Sequence, residues 1–591
     1  MKLDKKLLAI LLFAFILWVW NISAVDLVSD DALYSFRALG WHDYLATDGQ
    51  TTPFQWFGHI PWWANLSFHD APPLVFGVQK VFFSIFGDNP VGARLPFVFS
   101  FLSSLYFVFL IGKELHSKKA GYLACFLMAI MSLAAYGAGS GLLEGVEVLF
   151  IALAVYSWVK FIKTDNNKYL YLLFIFFSLA LMSKYTAVFL PVAFLAHLLF
   201  FRREVFKRKE LYLACLIFIL ILSPVIIYNI GLYQTRGHFD AALASFLGQE
   251  TDDFFSLRNR EISPNFFHGL KSIFNNLLQV MSLPAWLLFL TAIIYNIYKI
   301  IRGEREKYFV FLAGLASAFI LLALAGAGSR FLIILMPFIV LLIGVLLAEA
   351  SFKINQKILF IPTPSRTPCG LAAGMNGGFK SFLRGLIPSR KVWGFILMAI
   401  IFSWELAYNI NSNFLTRPLT RNFLLYSQEN LGAKKFGFNK LDKYLRDEVF
   451  INDLDLQRPK RLKDIDIRAI DYADHYGLIY FFDDSLNWFA HNWYFRKYIN
   501  YYGLPLAPLS EQAKTLGVAD PIKYFSELGI KNYYFIYGVD ESLVDPKKLN
   551  SEHRQTSTKL AQMLDGQGVK YQEIKNHLGQ AAFRVYQFSL K

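Results

Sequence analysis

Apolar runs of 17 to 25 residues recur along the chain from Leu7 to about Ile410. Each is long enough to cross the hydrocarbon core of a bilayer as a helix. Backbone amides in that medium must be satisfied within the segment, so this part of the chain is restricted to a bundle of membrane helices. The charge content agrees: 17% of the 591 residues are charged and 55% are hydrophobic, less charge than a soluble chain of this length carries. Leu7–Ala24 follows Lys2, Lys5 and Lys6 as a signal peptide would. It has no small-x-small cleavage site and is long for such a segment, so it reads as a retained anchor. Cys125, Cys215 and Cys369 lie far apart, with no disulfide framework or zinc spacing.

The net charge of +15 could suggest a nucleic-acid partner, but its distribution argues otherwise. The excess sits in loops that alternate along the chain: the N-terminus, Lys113–Lys119, Lys160–Lys168, Arg202–Lys209, Lys299–Lys307 and Lys353–Lys391, the last with seven Lys/Arg and no acid. Cytoplasmic loops collect such charge. Placing them inside predicts eleven spans, at 7–25, 95–112, 119–137, 142–163, 169–183, 186–201, 211–231, 276–299, 308–326, 330–350 and 392–410. Ser183-Lys184-Tyr185 divides the stretch 169–201 into two short helices. One long helix there would put every later basic loop outside. The expected organisation is a membrane domain over 1–410, with outer loops at 26–94 and 232–275 and a cytoplasmic loop at 351–391. A soluble extracytoplasmic domain follows over 411–591. The N-terminus is then cytoplasmic, in a multi-pass protein of the plasma (inner) membrane.

The first outer loop carries Trp41, Trp56, Trp62 and Trp63, as helices lying in the membrane interface do. In the tail, Leu478–Phe482, Asn532–Tyr537 and Ala582–Tyr586 read as buried strands, and Pro521–Leu528 as a helix entered at proline. A small α/β domain follows. Gly137–Gly141 and Gly326–Gly328 superficially resemble nucleotide loops, but no strand precedes them, and close helix packing is the simpler reading. Pro362–Gly378 reads as a Pro/Gly/Ser-rich linker.

The residues that could carry chemistry gather on the outer side. Asp30 and Asp31 follow Ser29 at the end of the first span, where one carboxylate would serve as a helix cap and another as a general base. Asp70 follows His69 and precedes Pro72-Pro73, a turn stiff enough to hold a carboxylate at the surface. Arg94 and Arg330 each open a span and Lys184 marks an outer turn; each could simply snorkel to headgroups. Glu144 and Glu147 lie within an apolar run, where a carboxylate faces a partner or a cavity. His238 and Asp240 lie in the second outer loop. Such a mixture suits a reaction on an anionic lipid: cations hold the phosphate and a carboxylate takes a proton from the nucleophile.

The order of these segments resembles the bacterial and archaeal branch of the protein O-mannosyltransferase/aminoarabinose transferase superfamily, polytopic glycosyltransferases of the GT-C fold. The resemblance rests on Asp30-Asp31-Ala-Leu-Tyr34, His69-Asp-Ala-Pro-Pro-Leu-Val-Phe76, Phe86-Gly-Asp-Asn-Pro-Val-Gly-Ala-Arg-Leu-Pro96, Ser183-Lys-Tyr-Thr186 and Ser329-Arg-Phe-Leu-Ile-Ile-Leu-Met-Pro337. It covers about residues 1–350 and the eleventh span. It implies a polytopic α-helical fold and inverting transfer of a sugar from a polyprenyl-phosphate donor to a hydroxyl of a protein, lipid or envelope glycan. Asp30 falls on the family's base or metal ligand, and Asp70 on the acid before the proline turn. The family's usual Asp-Glu pair is Asp-Asp in this chain, and Glu144 stands, without a preceding Arg, where the family often has Asp. On this reading Asp30, Asp31 and Asp70 are catalytic candidates, and Lys184, Arg330 and Arg94 hold the donor phosphate. His69, Glu144, His238 and Asp240 are further site candidates. Asp30 and Asp70 could bind a divalent ion, Mg or Mn, or act alone. The competing readings are a lipid or glycan transporter and a non-catalytic assembly factor. Against the transporter stands the lack of an inverted repeat or of paired broken helices at corresponding places.

Overall fold

A computed structural model describes residues 4–20, 22–44, 52–249, 266–325, 328–359, 390–429, 434–450, 477–518 and 520–590. The expected linker at 362–378 and the first two residues of Gly326–Gly328 lie outside them. The helices that matter for the site are α1 (Lys5–Val19), α2 (Asp30–Gly40), α3 (Leu74–Phe86), α4 (Pro90–Leu115), α5 (Lys118–Ile130), α6 (Ser132–Gly139), α7 (Glu144–Thr164), α8 (Asn167–Ser183), α9 (Phe189–Phe201), α10 (Lys209–Arg236), α11 (Phe266–Val280), α12 (Leu283–Ile301), α13 (Arg305–Ala325), α14 (Met336–Leu359) and α15 (Arg390–Asn409). Helix covers most of each expected span, although the first ends at Val19 and the ninth is described only to Ala325. Among the described residues six helices are long and apolar enough to cross a membrane, or seven if one bent pair is a single span.

Local chemistry sets the helix ends. Asn89 accepts from the amides of Val91 and Gly92, and Pro90 takes the first position of α4, where its missing N–H costs nothing. Ser282 caps α12 in the same way, with Pro284 in the first turn. That cap corrects the expected span at 276–299. The chain ends α11 at Val280, turns, and starts the membrane helix anew at Leu283.

A second correction concerns 119–137, expected as one span. It is broken at Met131, where α5 and α6 meet at 64°. The backbone groups freed by the break are satisfied from one face of α15 and its continuation. Asn409 Nδ2 donates to the carbonyl of Ile130 at 2.9 Å, Asn413 Nδ2 to that of Ser132 at 2.9 Å, and the amide of Ser132 reaches Glu405 Oε1 at 3.3 Å. Spacing of four residues places the three polar side chains in one stripe. Gly137, on α6, packs as the sequence suggests: a Cβ there would lie 2.6 Å from the Phe101 ring.

The C-terminal domain, expected to be soluble, holds a five-stranded sheet of β1 (Leu478–Phe482), β2 (Leu506–Pro508), β3 (Asn532–Gly538), β4 (Tyr571–Lys575) and β5 (Ala581–Ser589). The order is β2-β1-β3-β5-β4. β1 runs parallel to β2 and β3, and β5 antiparallel to β3 and β4. One further helix recurs below, α16 (Phe438–Tyr444).

Candidate active site

Asp30 and Asp31 are neighbours in sequence and part company in space. Successive residues on a helix are rotated by about 100°. Asp31 turns inward. Its Oδ1 accepts from the amide and hydroxyl of Ser29 and the amide of Ala32, at 2.9–3.1 Å. Its Oδ2 accepts from Arg94 Nη2 at 2.7 Å. Arg94 also donates to the carbonyls of Ile22, Val25 and Asp26. Both side chains are buried. Asp31, expected among the reacting acids, thus sits in a buried ion pair, and Arg94, expected at the donor phosphate, spends its donors on that pair and on the end of the first span.

Asp30 is presented instead. Its carboxylate pairs with Arg330 in the turn that leads into α14. Arg330 Nε lies 4.0 Å from Glu144 Oε1, and the same Glu144 oxygen receives Lys184 Nζ. Lys184 is in extended conformation just past α8, and Glu144 opens α7. The Phe331 ring underlies both cations, 4.2 Å from Lys184 Nζ and 4.9 Å from the Arg330 guanidinium. Exposure divides the roles. The side chains of Asp30, Arg330 and Lys184 are 24%, 21% and 14% exposed, and Glu144 1%. Glu144 is thus a buried anchor, and the other three groups can reach a ligand.

The Ser-Lys-Tyr-Thr turn distributes its residues among three acids. Lys184 takes Glu144, the Tyr185 hydroxyl donates to Asp240 Oδ2 at 2.6 Å, and Thr186 Oγ1 donates to Glu147 Oε1 at 2.6 Å. Asp240 also caps the turn after it and accepts from Asn229 Nδ2 at 2.7 Å, and burial raises its carboxyl pKa. The amide of Ala241 donates to the carbonyl of His69 at 2.7 Å, which joins the two outer loops. The His69 and His238 rings meet edge to face at 5.7 Å. Burial pushes the His69 imidazole down to about 3, so it is neutral.

Asp70 belongs to a separate cluster. Fully buried Arg37 reaches Asp70 Oδ1 at 2.6 Å and Asp43 Oδ1 at 3.0 Å, between the rings of Phe68 and Phe76 at 4.9 and 5.1 Å. Asp43 also accepts from the amide of His69 at 3.1 Å and the Tyr228 hydroxyl at 3.2 Å. Burial pushes its carboxyl up to about 6, against the pull of Arg37. Sequence reasoning missed Arg37 and Asp43. The signal was present in an arginine seven residues after Asp30, on a helix that is otherwise largely apolar.

Asp30 and Asp70 therefore face different guanidinium groups. Among the described residues no three His, Cys, Asp or Glu side chains are grouped to hold a metal ion. The pairing of Asp30 and Asp70 as metal ligands does not fit this geometry: each carboxylate is matched to a cation of the protein, where a divalent ion needs several oxygens converging on one point.

Residues 70–228 match the family model described as dolichyl-phosphate-mannose-protein mannosyltransferase. The whole chain is similar in structure to ArnT from Cupriavidus metallidurans. In the apo state and bound to undecaprenyl phosphate alike, the TM-score is 0.51 at 12% identity, over 98% of this chain and 97% of that one. The apo oligosaccharyltransferase of Archaeoglobus fulgidus aligns with a TM-score of 0.48 at 13% identity, over 90% of this chain and 70% of that one. No curated protein is significantly similar in sequence.

Proposed function

We propose that this chain, a multi-pass membrane protein with the GT-C fold of the protein O-mannosyltransferase/aminoarabinose transferase superfamily, is an inverting glycosyltransferase. It moves a sugar from a polyprenyl-phosphate donor to a hydroxyl of a protein, lipid or envelope glycan. The observation that carries this reading is the meeting of Asp30, Arg330 and Lys184 over Glu144. One accessible carboxylate stands beside two accessible cations, as the reaction requires. The ArnT structure with undecaprenyl phosphate supports a lipid phosphate as the group those cations meet.

The chemistry follows from the charges. A lipid phosphate entering from the bilayer competes with Asp30 for Arg330 and with Glu144 for Lys184, and so frees the Asp30 carboxylate. The acceptor hydroxyl donates its proton to Asp30 as its oxygen attacks the anomeric carbon from the face opposite the phosphate. The bond from that carbon to the phosphate oxygen breaks, and its electron pair leaves with the polyprenyl phosphate. Lys184 and Arg330 stabilise the charge that grows on that oxygen. One displacement inverts the anomeric centre. Asp30 returns its proton to water. The alternation of basic loops along the sequence supports a site and a C-terminal domain on the outer face of the plasma membrane.

The test is a titration of the purified protein in lipid nanodiscs with undecaprenyl phosphate. Lys184→Met and Arg330→Met keep apolar bulk and remove the charge. Each is expected to weaken binding about 10- to 100-fold, the equivalent of about 1.5–3 kcal/mol for a hydrogen bond to a charged group. Unchanged affinity in both variants would remove the cations from the donor site.

A further inference from the structure

We infer that the soluble domain is a brace for the helix that carries Asp30, with Asp26, Tyr494 and Tyr501 as its positioning contacts. The inference rests on the reading of Asp30 as the base. It concerns a domain to which no sequence motif gives a role.

Hydrogen bonds from the soluble side reach α2 and its approach at several points. At the approach, the Asp26 carboxylate accepts from the amides of Gly437, Phe438 and Asn439 at 2.9–3.3 Å. These are the free donors at the start of α16, so a residue four before Asp30 caps a helix of the other domain. Beside it, the Tyr494 hydroxyl accepts from the amide of Leu27 at 2.9 Å and donates to Asn439 Oδ1 at 2.6 Å. In the middle of α2, the Tyr501 hydroxyl donates to the carbonyl of Phe36 at 2.8 Å, and the two rings stack at 5.0 Å. At its end, Gly40 leaves room for that same Tyr501: a Cβ would fall 2.1 Å from the ring.

The opposite side of the same segment is held by Arg94, through the carbonyls of Ile22, Val25 and Asp26 and the carboxylate of Asp31. The segment from Asp26 to Gly40 is therefore held by the membrane domain on one side and by the soluble domain on the other. A half-buried charge network joins the same two bodies nearby: Asp88, just before α4, receives Arg446 Nη2 at 2.6 Å and the Tyr502 hydroxyl at 2.9 Å. Asp30 itself touches neither clamp. A brace of this kind sets where the base stands relative to the bound donor and leaves the donor's own contacts alone.

The test uses full-length protein. Tyr494→Phe and Tyr501→Phe keep the rings and remove the hydroxyls. The pair of substitutions is expected to lower kcat for sugar transfer at least 10-fold, with KM for the donor changed less than 2-fold. Amides 32–40 should exchange hydrogen at least 10-fold faster, and those of α7 should not change. Arg554→Met, which breaks the Asp483–Arg554 pair inside the soluble domain, should lower thermal stability and leave kcat unchanged well below the melting point. The brace is overturned if the double variant keeps wild-type kcat and wild-type exchange in α2, or if Arg554→Met lowers kcat as much. Full transfer by Asp30→Asn would overturn the base reading instead, and the exchange measurement would still decide whether the tyrosines hold the helix.

Discussion

Two adjacent aspartates illustrate what sequence can and cannot assign at the residue scale. The Ser-Asp-Asp segment announces a helix start and offers two acids, and the structure turns one of them inward and leaves the other accessible. Which aspartate does which depends on Arg94, 63 positions away in sequence from Asp31, and no local pattern encodes that choice. The prediction that follows is a split. Asp31→Asn leaves the buried Arg94 guanidinium without its counter-charge, a change that costs about 3–5 kcal/mol when a buried pair is broken. It should lower the melting temperature markedly while the folded fraction keeps its transfer rate. Asp30→Asn should do the reverse, with stability near wild type and transfer lost. Calorimetry beside a transfer assay separates them. A stable Asp31→Asn protein without activity would return Asp31 to the reacting group.

At the scale of elements, apolar run length located the helices because a bilayer leaves a chain no other way to satisfy its amides. It did not show where a helix breaks. Residues 119–137 read as one span because the run is apolar on both sides of Met131. The side chains that make the break affordable lie on α15 and the turn after it, with 279 residues separating Ile130 from Asn409. The acids and amides of that stripe look unremarkable in a membrane helix until their partners are known. Asn409→Leu keeps the volume and removes the donor, which leaves the Ile130 carbonyl unsatisfied in an apolar setting. The expected loss is about 1–3 kcal/mol, read as a fall in melting temperature of the purified protein. Wild-type stability in this variant would mean that the bend does not depend on the stripe.

At the scale of the whole molecule, the strands at 478–482, 532–537 and 582–586 were legible from their aromatic and β-branched runs. The two edge strands were not: β2 has three residues and β4 reads Tyr-Gln-Glu-Ile-Lys, largely exposed. A three-residue strand and a polar one carry too little pattern to stand out from loop. The apolar runs of the helical part and the mixed composition of the sheet part were also visible. Their interlocking was not, because it runs through single groups such as Asp26 and Tyr494 that look ordinary in sequence. The family resemblance pointed to Asp30, Lys184 and Arg330, and the geometry sets them beside one another. Arg37 and Asp43, which form a cluster with Asp70, had no place in that reading.

In the proposed reaction Asp30 takes the proton as a sugar leaves a polyprenyl phosphate. The measurement that meets it most directly supplies a polyprenyl phosphate carrying a radiolabelled sugar to purified full-length protein in sealed vesicles, with an envelope fraction of the native host as acceptor. The wild-type protein is predicted to release polyprenyl phosphate and place the label in a product that no longer partitions with lipid. Asp30→Asn should slow this by about 10²–10⁴-fold, the range for loss of a general base. Label that stays on its lipid, label that crosses the vesicle still attached to its lipid, or equal rates in wild type and Asp30→Asn would each contradict the claim.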